Sequence, residues 1–350
     1  MMNLRLVDII KKLVNSIPIS QAEEKILISY KTGDNYAFNE EAYPDLYNKK
    51  KEVITGVYSE IWQKLEEWRL DKNEAELIHN LWGLWLPLAW ELLTLYKQQS
   101  TPLVLGILGL QGTGKTTTAR ILSLIWEYLG LSTVAISLDD FYKTYAQRRI
   151  LAQIEPRLIW RGPPATHDVS LAIEVVTSLK QRQYPVSIPR FDKSLHQGRG
   201  DRAFYEQVNR GDIIILEGWF VGVRPVPEEV FDNPPHPIIT PEDRQFALDC
   251  NKRLEEYLPL WEMIDYLLVF NPEDYRYSLK WRQEAERKMR LEGKTGMTDR
   301  EVEEFVHYFW KALHPQIFLP PLINNPQLTH LVVNLDICRR VTAVYKPLFK

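Results

Sequence analysis

The sequence predicts an α/β fold, a parallel sheet flanked by helices, preceded by an all-helical extension. From residue 103 onward, short apolar runs of strand length alternate with helical patterns, as a parallel sheet requires. The first run, Leu103 to Leu108, leads into Gly109-Leu-Gln-Gly-Thr-Gly-Lys115-Thr116 and then into a helical pattern over Thr117 to Leu129. Residues 1 to about 98 lack strand alternation and show helical periodicity instead. These observations divide the chain into a helical region, 1–98, and a nucleotide-binding region, 99–350.

The spacing GxxxxGKT between a strand and a helix is a phosphate-binding loop, so the sheet is expected to be of the P-loop NTPase type. Gly109, Gly112 and Gly114 lack a Cβ, which lets the backbone turn its N–H groups inward around an anion. Thr113 and Thr117 complete the cradle, and the helix start adds its partial positive charge. Lys115 is placed to reach the β- and γ-phosphates, and the Thr116 hydroxyl to join the coordination of Mg²⁺. The loop alone implies nucleotide binding and says nothing of the reaction.

In the helical region, Val53, Val57, Ile61 and Leu65 recur at i+4, with Ile54, Tyr58, Trp62 and Trp68 widening the stripe. A second helix is expected from Glu74 to Lys97, with Leu77, Leu81, Leu88 and Leu92 on one face and a kink near Pro87. The polar stretch between Tyr30 and Lys50 reads as loop or short turns. The whole region is expected to form a packing layer against the nucleotide-binding part.

A second strand, Thr133 to Leu138, ends in Asp139 and Asp140. In an open α/β sheet ligands sit beyond the carboxyl ends of strands, so both carboxylates face the same crevice as the loop. Asp168 is placed to cap a helix over Val169 to Lys180. A short strand at Pro185 to Pro189 leads to Arg190 and Lys193, and then to a basic, glycine-punctuated loop from His196 to Arg202. The apolar strand Asp212 to Gly218 carries Glu217 near its end, the position of a metal-holding acid beside Thr116. Residues 223–241 are a proline-rich excursion; helix is expected from Glu242 to Trp261 and strand from Tyr266 to Phe270. The charged run at about 273–293 reads as a lid whose Arg276 or Arg282 reaches the transferring phosphate. A helix from Asp299 to Leu313, a strand from Leu328 to Val333 and a terminal helix from Ile337 to Tyr345 complete the expectation.

Taken together, the segments GLQGTGKTT, SLDDFY, GPPATHD, IPRFDKS, ILEGW and RYSLKWRQEAE resemble the plant-type D-glycerate kinases. These form a wider P-loop kinase group with uridine kinase, phosphoribulokinase and bacterial pantothenate kinase. The likeness runs from about 103 to 350. It implies an ATP- and Mg²⁺-dependent transfer of a phosphoryl group to a hydroxyl of D-glycerate, giving 3-phosphoglycerate. It also implies that Asp139, with Asp140 as second candidate, orients the acceptor hydroxyl. The small anionic acceptor then needs a fixed cation, for which Arg190 is the first choice, with Arg161, His167 and Lys193 behind it. Two alternatives stay open: a kinase of the same group for a nucleoside, sugar phosphate or pantothenate, and a non-catalytic ATP-dependent regulatory protein.

Composition sets the outer bounds. The 350 residues carry a formal net charge of −3 and an isoelectric point near 6.2, which give no reason to expect nucleic-acid or membrane partners. Two cysteines, Cys250 and Cys338, are too few for a disulfide framework. Asp8, Lys11 and Lys12 interrupt what a secretory signal would need as an apolar core. The expectation is a cytoplasmic protein acting on a small molecule.

Overall fold

The computed structural model describes residues 2–33, 36–38, 45–70, 72–291, 293 and 296–348. Much of the expected loop between Tyr30 and Lys50, and position 292 of the expected lid, lie outside the described residues. The helical region comprises α1 (Met2–Val14), α2 (Gln21–Ser29), α3 (Leu46–Glu67), α4 (Glu74–Asn80) and α5 (Leu86–Gln98). There follow β1 (Leu103–Gly109), α6 (Lys115–Tyr128), β2 (Thr133–Ser137), α7 (Tyr145–Ile154), α8 (Val169–Lys180), β3 (Val186–Asp192), β4 (Asp201–Val208) and β5 (Ile213–Gly218). The remainder is α9 (Pro241–Arg253), α10 (Leu258–Trp261), β6 (Tyr266–Pro272), α11 (Tyr277–Leu291), α12 (Asp299–Ala312), α13 (Pro315–Ile323), β7 (Leu331–Leu335) and β8 (Val341–Tyr345).

Six strands form one sheet in the order β2-β5-β1-β6-β7-β8, parallel except for β8. Every residue of β1 is buried, as a strand covered on both faces must be. Ile107 on β1 and Ser137 on β2 both pair with Glu217 on β5, so the carboxyl ends of these three neighbours finish at one level. β3 and β4 form a separate antiparallel hairpin.

The helical region packs on one face of the sheet. Its buried side chains join those of α6 and of the sheet residues Leu103, Leu105, Ile107, Leu268 and Leu331 in one continuous cluster. The opposite face is covered by α8, α9, α12 and α13. Indole donors fix the first layer: Trp82 donates to the Leu27 carbonyl at 3.0 Å, Trp126 to that of Ala89 at 3.1 Å, and Trp85 to Thr118 Oγ1 at 3.2 Å. The last bond joins the helical region directly to the helix that follows the phosphate loop. At the far end, Tyr96 donates to Asp212 at the start of β5 at 2.9 Å.

Several expectations are corrected. The helix expected from Glu74 to Lys97 is interrupted at Leu81–Trp85 by a π-helical turn, in which the Leu86 N–H bonds to the Leu81 carbonyl. The interruption lies just ahead of Pro87, which has no N–H to continue the ladder. The expected terminal helix from Ile337 to Tyr345 is instead a turn followed by β8, paired antiparallel with β7. The Asp336 carboxylate accepts from the Cys338 and Arg340 N–H groups and Arg339 takes φ +65°, which reverses the chain. Val341, Thr342 and Val344 are β-branched and suit the strand that results. The last parallel strand is Leu331–Leu335, later than expected. The helix expected from Glu242 to Trp261 is broken by a 3₁₀ turn at Leu254–Tyr257, ahead of Pro259. The basic loop after Lys193 is the turn of the β3–β4 hairpin, and β4 itself has no counterpart in the sequence reading, because most of its residues are exposed and show no alternation.

The π-turn brings Gly83 against Thr32, where an added Cβ would lie 1.9 Å from the Thr32 Oγ1. Thr32 is buried and its short side chain has nowhere to retreat. Gly83→Ala is expected to destabilise the fold by about 1–3 kcal/mol through overpacking, read as a lowered urea midpoint; an unchanged midpoint would show that the two segments separate freely.

Candidate active site

The phosphate loop closes as its glycines dictate. Gly112 and Gly114 take φ of +82° and +86°, a region that side-chain-bearing residues rarely adopt. Thr113 is buried and donates to the Leu110 carbonyl at 2.8 Å, which draws the loop tight. Lys115, the first residue of α6, donates to the same carbonyl at 3.1 Å. Burial lowers its pKa, and the charges of Glu217 and Asp139 oppose that shift, which places all three in one electrostatic neighbourhood.

Thr116 donates to Glu217 Oε1 at 2.9 Å. A hydroxyl and a carboxylate beside a phosphate loop are hard oxygen donors, the set that suits Mg²⁺ when substrate phosphates and water supply the other ligands. Among the described residues there is no group of three or more His, Cys, Asp or Glu side chains that could hold a metal by itself. The site fits a metal shared with a nucleotide.

Beyond β2 the chain makes one 3₁₀ turn, Leu138–Phe141, capped by Ser137. This turn separates the two adjacent carboxylates. Asp140 is consumed by structure: it accepts from the Ser137 N–H at 3.1 Å, the Phe191 N–H at 3.2 Å and Arg190 Nη1 at 2.8 Å. Asp139, 26% exposed, pairs with Lys193 Nζ at 2.6 Å. Burial works against its ionisation, but the Lys193 ammonium and a hydrogen bond from the Tyr142 hydroxyl outweigh it and hold the carboxyl below the ordinary aspartate range. Asp139 is therefore an anion throughout the neutral range. Tyr142 stacks on His167 with centroids 4.5 Å apart, and burial beside Asp139 keeps its hydroxyl protonated.

Arg190 donates to Glu206 at 2.7 Å, to Asp140 at 2.8 Å and to the Ala135 carbonyl at 3.1 Å, tying the hairpin to β2. His167 is fully buried, with Nδ1 at 2.9 Å from the Tyr257 hydroxyl, and burial pushes its pKa down to about 3. It is neutral and shapes the platform under Tyr142. Arg161 donates to the carbonyls of Gly198 and Arg199 at 2.9 and 3.0 Å and lies over the Tyr142 and Phe191 rings. In the expected lid, Arg276 is 68% exposed and pairs with Asp274 nearby in the chain. Arg282 is half-buried on α11, pairs with Glu286, and its Nε has no hydrogen-bond partner among the described residues. Burial lowers its pKa; Glu286 opposes this and the positive charge of Arg161 adds to it.

Three contributors were missed by the sequence reading. Trp281 on α11 backs the loop so closely that a Cβ on Gly112 would lie 2.7 Å from its own Cβ. Arg339, in the turn before β8, donates to the Gly112 carbonyl at 3.1 Å and to Glu284 on α11 at 2.9 Å. A cavity of about 720 Å³ runs from Gly112–Thr118 past Arg339, and its far wall is α4 of the helical region. No sequence pattern links residues so far apart; only the tryptophan content of the helices hinted at a large buried face.

No protein-family model matches the chain. The chloroplastic D-glycerate 3-kinase of Arabidopsis thaliana is 34% identical over 232 residues, 63% of this chain, and the match spans about half (48%) of that enzyme's length. A Schizosaccharomyces pombe protein described as an uncharacterized kinase, mug58, is 33% identical over 222 residues, 61% of this chain and 80% of that one. Among solved structures, the D-glycerate 3-kinase of Cryptococcus neoformans superposes with a TM-score of 0.68 at 26% identity, over 75% of this chain and 99% of that one.

Gly112→Ala must both adopt the left-handed backbone and push Trp281 aside. It is expected to weaken nucleotide binding at least about tenfold, the loss that follows when ~1.4 kcal/mol of preorganised contacts is removed. Nucleotide titration followed by tryptophan emission measures this, and an unchanged affinity would show that α11 does not brace the loop.

Proposed function

Because the chain belongs to the family of P-loop kinases that contains the D-glycerate 3-kinases, we propose that it transfers the γ-phosphoryl group of ATP to a hydroxyl of D-glycerate, giving 3-phosphoglycerate. The observation that carries this reading is the convergence of Lys115, the Thr116–Glu217 pair and the Asp139–Lys193 pair at the carboxyl ends of three adjacent strands. A donor site, a metal site and an acceptor-facing carboxylate are the parts such a transfer needs.

Each group has a task set by its chemistry. Lys115 and the loop N–H groups neutralise the β- and γ-phosphates as charge moves toward the leaving oxygen. Thr116 and Glu217 would hold Mg²⁺, which when bound supplies charge neutralisation across the phosphates. Asp139 accepts a hydrogen bond from the acceptor hydroxyl, aligns it with the phosphorus, and takes its proton as the new O–P bond forms. A carboxylate with a depressed pKa is a weak base. That suits a loose transition state, in which the hydroxyl loses its proton late.

The acceptor's carboxylate calls for a cation. Arg190 spends its donors on Glu206, Asp140 and a carbonyl, so we assign the task to Arg161, with Arg282 and Lys193 beside it. The positive charge of Arg161 adds to the cost of charging Arg282, and an anion between them would relieve it. Among the described residues no helix is long and apolar enough to cross a membrane.

Purified protein given ATP, Mg²⁺ and a panel of glycerate, uridine, ribulose 5-phosphate and pantothenate should release ADP with glycerate. Faster turnover with another acceptor would assign the chain to a neighbouring specificity, and nucleotide binding without acceptor-dependent turnover would make it a regulator. Coupling the product to enolase with and without phosphoglycerate mutase distinguishes the 3- from the 2-phosphate. Asp139→Asn should lower kcat by about 10²-fold or more, the usual worth of a positioned base, with ATP affinity little changed; a matched loss in both would make Asp139 structural. Arg161→Ala should raise the glycerate KM by about 10- to 100-fold, as loss of a charged hydrogen bond predicts, and leave the ATP KM alone.

A further inference from the structure

The large cavity beside the phosphate loop has a wall that the nucleotide-binding sheet does not supply. One end is lined by Gly112 to Thr118. Its lining includes the apolar Leu84, Trp85, Ile121, Leu335 and Val341, with Glu284, Lys288 and Arg339 among its charged residues. On the far wall stands α4, whose Glu76 and Asn80 also line the space. They are four residues apart, so they sit one helical turn apart on one face, with Cβ atoms separated by about 5–6 Å.

Neither side chain is spent on the fold. Asn80 is half-buried and its amide has no hydrogen-bond partner among the described residues. Glu76 makes no ion pair among the described residues; its carboxylate receives one long contact, 3.4 Å, from Asn73. Burial raises its carboxyl pKa, an effect that Arg339 opposes, with Asp336 and Arg340 of the same turn as the other charges facing it. A cavity with apolar lining residues, an anion cradle and a helix face offering one acceptor and one donor matches a nucleoside triphosphate whose ring packs on the apolar side chains and whose polar edge meets α4.

We propose that α4 forms the base-recognition wall of the nucleotide site: Glu76 accepts an N–H from the 6-amino group of adenine, and Asn80 donates to the adjacent ring nitrogen. The helical region is then part of the donor site as well as a packing layer. The assignment rests on the reading of the chain as an ATP-using kinase and is independent of which acceptor it uses.

The test is equilibrium binding to the full chain, without acceptor, of ATP, GTP and purine riboside triphosphate, which keeps the ring nitrogen and lacks the amino group. Wild-type protein should favour ATP over the des-amino nucleotide by about five- to tenfold, the worth of one such hydrogen bond. Glu76→Ala should weaken ATP by that factor, leave purine riboside triphosphate unchanged and so abolish the preference. Glu76→Gln, which keeps an acceptor oxygen, should restore most of it. Asn80→Ala should weaken both nucleotides alike, since both retain the ring nitrogen. The proposal is overturned if the wild type does not distinguish the two nucleotides, if Glu76→Ala weakens both equally or neither, or if GTP binds more tightly than ATP. A variant that loses all nucleotides together with its thermal midpoint reports unfolding, in which case the Glu76→Gln and Asn80→Ala titrations decide. Wild-type protein that binds ATP with the expected preference yet turns over no glycerate overturns the acceptor assignment and leaves this one standing.

Discussion

The site depends on the register of three parallel strands. Pairing of Ile107 and Ser137 with Glu217 ends β1, β5 and β2 at one level. In a parallel ladder covered on both faces, a one-residue slip would exchange the side chains packed against the two helical layers, so the register is held by the whole core. Everything chemical then hangs from three adjacent strand ends: the loop after β1, the acid on β5 and the 3₁₀ turn after β2. Single backbone turns separate the tasks from there. Leu138–Phe141 is enough to aim Asp139 at Lys193 while committing Asp140 to the hairpin.

The donor half was legible because its signals are local. Gly109 to Thr116 is one loop with a fixed spacing, and Glu217 is recognisable as an acid ending an apolar run next to such a loop. The proposed acceptor half was harder to read, since its residues come from β2's end, the turn ahead of α8, the hairpin and α11. Arg190 at a strand end and Arg161 at the head of a proline-rich turn are equally plausible anion ligands in sequence. The structure spends one on Glu206 and Asp140 and leaves the other against Tyr142. Choosing between them needs the partner carboxylates, which are 16 and 50 residues away. The two strands that were missed, β4 and β8, fail for another reason. One lies exposed in a two-stranded hairpin and the other at a sheet edge, so neither carries the alternation that marks a half-buried strand.

The extension read as packing proved to be that, with more besides. Trp85 both joins the cluster under the sheet and donates to Thr118 on the helix that begins at Lys115. Arg339 links the loop carbonyl of Gly112 to α11. The cavity beside the phosphate loop is thus bounded by three segments that are remote in sequence, the helical region, α11 and the turn before β8. Burial places them, and the hydrogen bonds of Trp85 and Arg339 fix them against the loop and the helix that follows it.

The shared cluster also bears on how the chain is made. Helices α1 to α5 are translated before the sheet whose face they cover, and β7, which completes part of that face, ends about 240 residues after α5. At roughly 5–20 residues per second, the helices wait on the order of ten to fifty seconds before their partner surface is complete. During that interval Leu88, Leu92, Ile54 and Trp82 have one another and the early-made β1 and α6 for company. The density of large aromatic side chains there lets the nascent helices collapse together and shield that face until the strands arrive.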